Sequence, residues 1–221
     1  MSFKGAVEAK CPKGCEPFDA EIWSFIRGDK SPELRLFVLF RECNLIMCPE
    51  CETAFFPLEP YIYFDPTAEL LAFVFPESYR EKKEFWLQKM HDDFVILKQT
   101  IGEGISLVIE PQIFFGQEEL ALVLEKDDYC GEEREVMEAI ASDLGLVLYR
   151  VSPSFARQNE IPGALPYVPA QGGAVGKEGV IRGLEKVIAV NDRLTSFDAY
   201  LRWLKSSPDA GLPPASIVKS N

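Results

Sequence analysis

The sequence predicts an α+β protein: a small antiparallel β part, then mixed helices and strands, then a helical tail. Three observations carry this. Short apolar runs bounded by prolines crowd the first third, helical periodicity takes over after Ser78, and a proline- and glycine-rich stretch precedes two amphipathic segments near the end.

Taken in order, residues 18–26 set apolar Phe18, Ala20, Ile22 and Ile26 against polar neighbours, the alternation of a strand. Ser31-Pro32-Glu33 is a helix start: a capping residue, proline in the first turn, then an acid facing the dipole. This short helix is expected to run through Leu34, Phe37 and Val38 and to stop near Cys43-Asn44. Residues 55–56, 61–64 and 70–75 are β-type runs punctuated by Pro57, Pro60, Pro66 and Pro76, the pattern of an antiparallel meander. From Ser78 to Lys98 the period is helical, with Trp86, Met90, Phe94 and Leu97 on one stripe. Strands are expected over 105–109 and 113–115, helices over 118–126 and 132–144, and a last strand over 146–151.

Beyond residue 151 the composition shifts. Residues 152–179 hold Pro153, Pro162, Pro166 and Pro169, then Gly172, Gly173, Gly176 and Gly179, which reads as a linker. Two amphipathic helices are expected over 180–205. One carries Val180, Ile181, Leu184, Val187 and Ile188; the other carries Leu194, Phe197, Tyr200, Leu201 and Leu204. Residues 206–221 read as a frayed end.

Composition narrows the function. With 47% hydrophobic residues and 26% charged, the 221-residue chain can build a sizeable core and reads as globular. A net charge of −12 repels phosphate backbones and anionic lipid, so neither nucleic acid nor a membrane is the expected partner. One histidine, His91, removes multi-histidine metal hydrolases and histidine relays. The first ten residues show no signal-like apolar run and no stretch approaches a spanning helix, so a cytoplasmic location is expected.

In a reducing compartment, six cysteines point to metal or burial rather than disulfides. Cys11-Pro12-Lys13-Gly14-Cys15 and Cys48-Pro49-Glu50-Cys51 are two close pairs with 32 residues between them. Two thiolates on a tight turn supply one edge of a tetrahedral zinc site, and a second turn completes it. Pro12 and Pro49 stiffen the turns. These four cysteines are the expected zinc ligands, and the β part over 8–76 is then zinc-ribbon-like. A redox dithiol at Cys48 and Cys51 competes, but it leaves Cys11 and Cys15 unexplained. Glu50 and Glu52 flank Cys51 and are expected to raise its pKa, against a reactive thiolate. Cys43 stands as a possible replacement for Cys15, although a small buried residue is its expected role.

The motifs bring a family into view. Cys48-Pro49-Glu50-Cys51, the lead-in Pro32-Glu33-Leu34-Arg35 with Cys43-Asn44, and the downstream Tyr61-Ile62-Tyr63-Phe64-Asp65 and Phe75-Pro76 together resemble the bacterial CpXC domain. Phe115-Gly116 with Glu119-Leu120, Asp127-Asp128 and Glu132-Glu133 are similar to its C-terminal half, so the resemblance spans residues 10–148. The first motif departs by one residue, Cys-Pro-x-x-Cys in place of Cys-Pro-x-Cys. The resemblance implies an α+β fold and a metal, without an activity. The expected organisation is thus a CpXC-like domain over 8–151, divided into 8–76 and 77–151, then linker, helices and frayed end.

Other constellations have plainer readings. His91-Asp92-Asp93 lacks the further histidines of a phosphohydrolase site, so it reads as a solvated helix face. Asp127, Asp128, Glu132, Glu133, Glu135 and Glu138 lack calcium-loop spacing and read as a solvated helix start. Residues 172–177 fail the phosphate-loop pattern at Gln171 and Glu178. Cys130 reads as a free thiol in a polar turn. The expectation is a zinc-stabilised binding or adaptor module that is not an enzyme, meeting a protein partner or a second copy through the C-terminal helices. The alternative is a thiol–disulfide oxidoreductase or a zinc-dependent enzyme built on Cys48 and Cys51.

Overall fold

The computed structural model describes residues 1–101, 109–169, 175–207 and 209–216. The chain divides into two compact units, residues 1–125 and 126–221.

The first unit is a five-stranded sheet in the order β1 (Phe3–Ala9), β2 (Phe18–Arg27), β5 (Tyr61–Asp65), β6 (Leu70–Phe75), β7 (Pro111–Phe115). A separate hairpin, β3 (Ile46–Met47) with β4 (Ala54–Phe55), lies between β2 and β5 in the chain. Of the expected antiparallel meander, β5–β6 forms as read, while β4 pairs with β3 in its own hairpin instead of with β5. The β1–β2 pair is also antiparallel, and β1 and β3 are strands that the sequence did not predict. The main sheet, however, is mixed: β2–β5 and β6–β7 are parallel. Parallel neighbours need a crossover. Helix α1 (Pro32–Leu39) and the hairpin supply the first; α2 (Lys83–Ile101), entered through a 3-10 turn at Glu77–Lys82, supplies the second.

Strand β6 explains why this part of the chain is so apolar. All six residues of its Leu-Leu-Ala-Phe-Val-Phe run are buried. Leu70, Ala72 and Val74 face Leu34 and Val38 of α1 and Leu120 and Leu124 of α3 (Gln117–Asp143). Leu71, Phe73 and Phe75 face Met90 and Phe94 of α2. A strand covered on both faces reads as a continuous hydrophobic run rather than an alternation. The two helices expected over 118–126 and 132–144 are one, because Gly131 costs only about 1 kcal/mol relative to alanine inside a helix. Residues 113–115 fall within β7; most of the strand expected over 105–109 lies outside the described residues.

The second unit packs a hairpin of β8 (Val147–Arg150) and β9 (Ala164–Tyr167) with α5 (Lys177–Val190) and α6 (Thr195–Ser206). Here the linker reading is corrected for its described part. Residues 152–169 contain α4 (Pro153–Asn159) as well as β9. The prolines serve as punctuation: Pro153 opens α4 behind the Ser152 cap, and Pro166 sits in a two-stranded sheet, where a missing donor is tolerated. Gly179 is buried inside α5 rather than in a flexible segment, and residues 170–174 lie outside the described residues.

The frayed-end reading changes too. The backbone N–H of Ser152 donates to Pro214 O at 2.8 Å, Ser216 N–H donates to Arg150 O at 3.0 Å, and Tyr149 Oη donates to Pro213 O at 2.6 Å. Residues 213–216 are therefore tied along β8; residues 208 and 217–221 lie outside the described residues. The amphipathic helices form where expected. Their stripes, Val180, Leu184 and Val187 with Phe197, Leu201 and Leu204, are buried in the unit's own core beside Met137 and Leu165. No described helix is long and apolar enough to cross a membrane.

Candidate metal centre

Two turns build the site. The first joins β1 to β2. Pro12 fixes φ, Gly14 takes a left-handed φ of 80°, and its N–H donates to Cys11 O at 3.0 Å. That glycine absorbs the extra residue of the first motif. The Lys13 N–H points at Cys11 Sγ at 3.4 Å. The second turn joins β3 to β4. Cys48 N–H donates to Thr53 O at 2.9 Å, and Glu52, at φ 55°, closes back onto Cys48 O at 3.0 Å. The Lys13 N–H aimed at Cys11 Sγ favours negative charge on that sulfur, while those of Gly14, Cys48 and Glu52 are satisfied by backbone carbonyls.

The turns are held against each other from outside the sulfur cluster. The Phe18 and Phe55 rings meet edge-to-face at 6.2 Å, and Glu16 N–H reaches Glu50 Oε2 at 3.4 Å. Upstream of β3, Asn44 takes φ 61° and uses its side chain as a missing strand: its Oδ1 accepts from Trp23 N–H at 2.7 Å and its Nδ2 donates to Trp23 O at 2.9 Å.

The result brings all four expected residues together. The Sγ atoms of Cys11, Cys15, Cys48 and Cys51 lie within 4.8 Å of one another, with Cys11 and Cys48 buried. Cys11 Sγ and Cys51 Sγ are 3.6 Å apart. A tetrahedron of thiolates at the usual zinc–sulfur bond of ~2.3 Å has an edge of about 3.8 Å. The donor set and its spacing thus fit a tetrahedral metal ion. None of the six cysteines is in a disulfide.

Cys43 is not part of the cluster. It is buried with Leu34, Val38 and Leu120, and burial pushes its thiol up to about 12. Cys51 behaves differently from the expectation set by Glu50 and Glu52. Its thiol is lowered to about 6, first by the Thr53 hydroxyl and then by the Thr53 backbone, which hydrogen-bond to the thiolate. Thr53 Oγ1 lies 3.3 Å from Cys51 Sγ. At that distance a hydrogen bond outweighs the two neighbouring carboxylates, which are solvent-exposed and screened. Cys15 is pushed up, chiefly by the hydrogen bond it shares with Cys51 and then by burial.

The remaining candidates separate from the site. His91 is exposed on α2, with Asp92 accepting from Gln88 and Asp93 paired with Lys89 at 3.1 Å, a solvated face. Asp127 is paired with Arg157 at 2.8 Å and Glu138 with Arg150 at 3.0 Å. Cys130 lies within α3 rather than in a turn, and burial raises its thiol. Thr53 and Asn44 are the supporting residues that sequence reasoning missed as such. Thr53 carried a faint signal, a hydroxyl two residues past the second cysteine at the mouth of a strand.

Four cysteines on two facing turns, beside a mixed sheet packed by helices, fit a thiolate metal-binding module on an α+β scaffold. The CpXC protein family model matches residues 9–127, and the chain belongs to that family. The match ends short of residue 148, close to the limit of the first compact unit. No curated protein and no solved structure matches the chain.

Proposed function

We propose that this chain is a zinc-stabilised binding or adaptor module without catalytic activity of its own, with one zinc ion held by Cys11, Cys15, Cys48 and Cys51. The observation that carries the reading is the mutual approach of four sulfurs from two separate turns to within 4.8 Å. Bound there, zinc supplies a cross-link between the β1–β2 and β3–β4 turns. Four thiolates fill a tetrahedral shell and leave no position for a water, the pattern of a structural site rather than a hydrolytic one. Reduced thiols and an acidic surface suit the cytoplasm. Association with a protein or a second copy through α5 and α6 would use their outer surface, where Val190 and Trp203 are exposed.

One observation favours the oxidoreductase reading: a Cys51 thiol lowered to about 6 is what a reactive cysteine needs. A metal ligand needs the same property, since the thiol must ionise to bind. Brief native alkylation followed by mass spectrometry separates the two. In the zinc module all four clustered cysteines stay unmodified until a chelator is added, and Cys51 is then labelled first. Rapid labelling of Cys48 or Cys51 in untreated protein, together with reduction of a model disulfide, would make it a thiol oxidoreductase.

A further inference from the structure

The hairpin that carries Cys48 and Cys51 has a second face. Ile46 pairs with Phe55 and Met47 with Ala54. The Phe55 ring packs on Phe18, so the Ile46–Phe55 side is turned towards β2. Side chains alternate along a strand, which puts Leu45, Met47 and Phe56 together on the opposite side. There they are 44%, 64% and 45% exposed, with Leu58 just beyond at 62%. Four exposed apolar residues gathered on and beside so short a hairpin form the kind of patch that interaction sites use.

The surrounding charge says what fits it. From Glu42 to Tyr79 the chain contains no lysine or arginine. Glu42, Glu52 and Glu59 bracket the apolar residues in sequence, before β3, between β3 and β4 and after β4, are exposed, and have no ion-pair partner among the described residues. Arg41, just before this segment, is taken up by Glu118 at 2.7 Å and Glu125 at 2.8 Å. Lys10 and Lys13 lie on the other turn of the metal centre. A second copy of the chain would bring the same acidic rim against itself, and anionic lipid would be repelled likewise.

We infer that Leu45, Met47 and Phe56 form a docking surface for a lysine- or arginine-rich amphipathic segment of a partner protein. The apolar residues anchor its hydrophobic stripe, and Glu42, Glu52 and Glu59 meet its cations. This rests on the binding-module reading and names the partner's chemistry; it does not depend on which metal the cysteines hold.

The test uses the full chain and a fluorescent peptide with leucine at helical spacing and lysine elsewhere, beside its twin with glutamate for lysine. Binding is read by anisotropy, and metal content is measured on every variant, so loss of the metal site is seen separately from loss of docking. M47S/F56S should weaken the lysine peptide by about tenfold or more. E42Q/E59Q, which leaves the packing untouched, should weaken it by about threefold. F85S/I96S, two exposed apolar residues of α2, should bind as the unaltered chain does. The proposal is overturned if the lysine peptide does not bind, if M47S/F56S with normal metal content binds it undiminished, if the α2 variant loses as much, or if the glutamate peptide binds equally well.

Discussion

Thr53 shows how much of the chemistry of a cysteine cluster lies outside the cysteines themselves. Its hydroxyl holds the Cys51 thiol near 6, and its carbonyl receives the Cys48 N–H. Thr53→Val keeps the shape and the carbonyl but removes the hydroxyl. Supporting partners of this kind typically change metal affinity by about 10- to 100-fold, and a loss in that range is expected, read by chelator competition. In metal-free protein the same variant should raise the pH at which Cys51 alkylates, since its thiolate loses the stabilising donor. Gly14 gives a second test. A Cβ there would meet nothing within 4 Å, so Gly14→Ala isolates the cost of φ 80° for an L-residue. About 1–2 kcal/mol of stability should be lost in denaturant titration. The grouping of Cys11, Cys15, Cys48 and Cys51 was legible from their paired spacing, with only Cys43 competing for the place of Cys15. Thr53 and Asn44 were not legible, because a hydroxyl near a sulfur and an amide bracketing Trp23 depend on which turns meet.

Between elements, close approaches are made at glycine. Helix α5 lies on β9 with backbone against backbone: a Cβ at Gly183 would sit 2.2 Å from Pro166 O. Gly183→Ala should therefore destabilise by about 1–3 kcal/mol through overpacking, although alanine favours a helix elsewhere. In the first unit, Phe73→Ala removes a buried ring from the centre of β6 and should cost about 3–5 kcal/mol. Chemical denaturation reads both. Most of these elements were visible as apolar periodicity, β6 and the stripe of α6 most clearly. Strand direction was not, since proline-bounded runs look alike in parallel and antiparallel sheets and only the crossovers through α1 and α2 decide it. The stretch over 152–169 misled for a related reason. Prolines mark helix starts and edge strands as readily as linkers, and β9 becomes a strand only by pairing with β8.

For the whole molecule, the hydrophobic cores of the two units stand as sources of stability separate from the cysteine cluster. The second unit buries Leu165, Leu184 and Leu204 without any metal ligand nearby in sequence. Deleting residues 177–221 would strip α5 and α6 from Met137, Leu146 and Leu165, so the shortened chain should aggregate while its metal content per chain stays unchanged. The measurement that bears most directly on the account is the metal stoichiometry of the full chain purified without added metal. Close to one zinc per chain is expected, in a colourless protein, with loss of that zinc and a sharp fall in melting temperature in Cys48→Ser. Less than about a tenth of an equivalent of zinc, with Cys48 and Cys51 joined in a disulfide, or a coloured protein carrying iron in place of zinc, would contradict it.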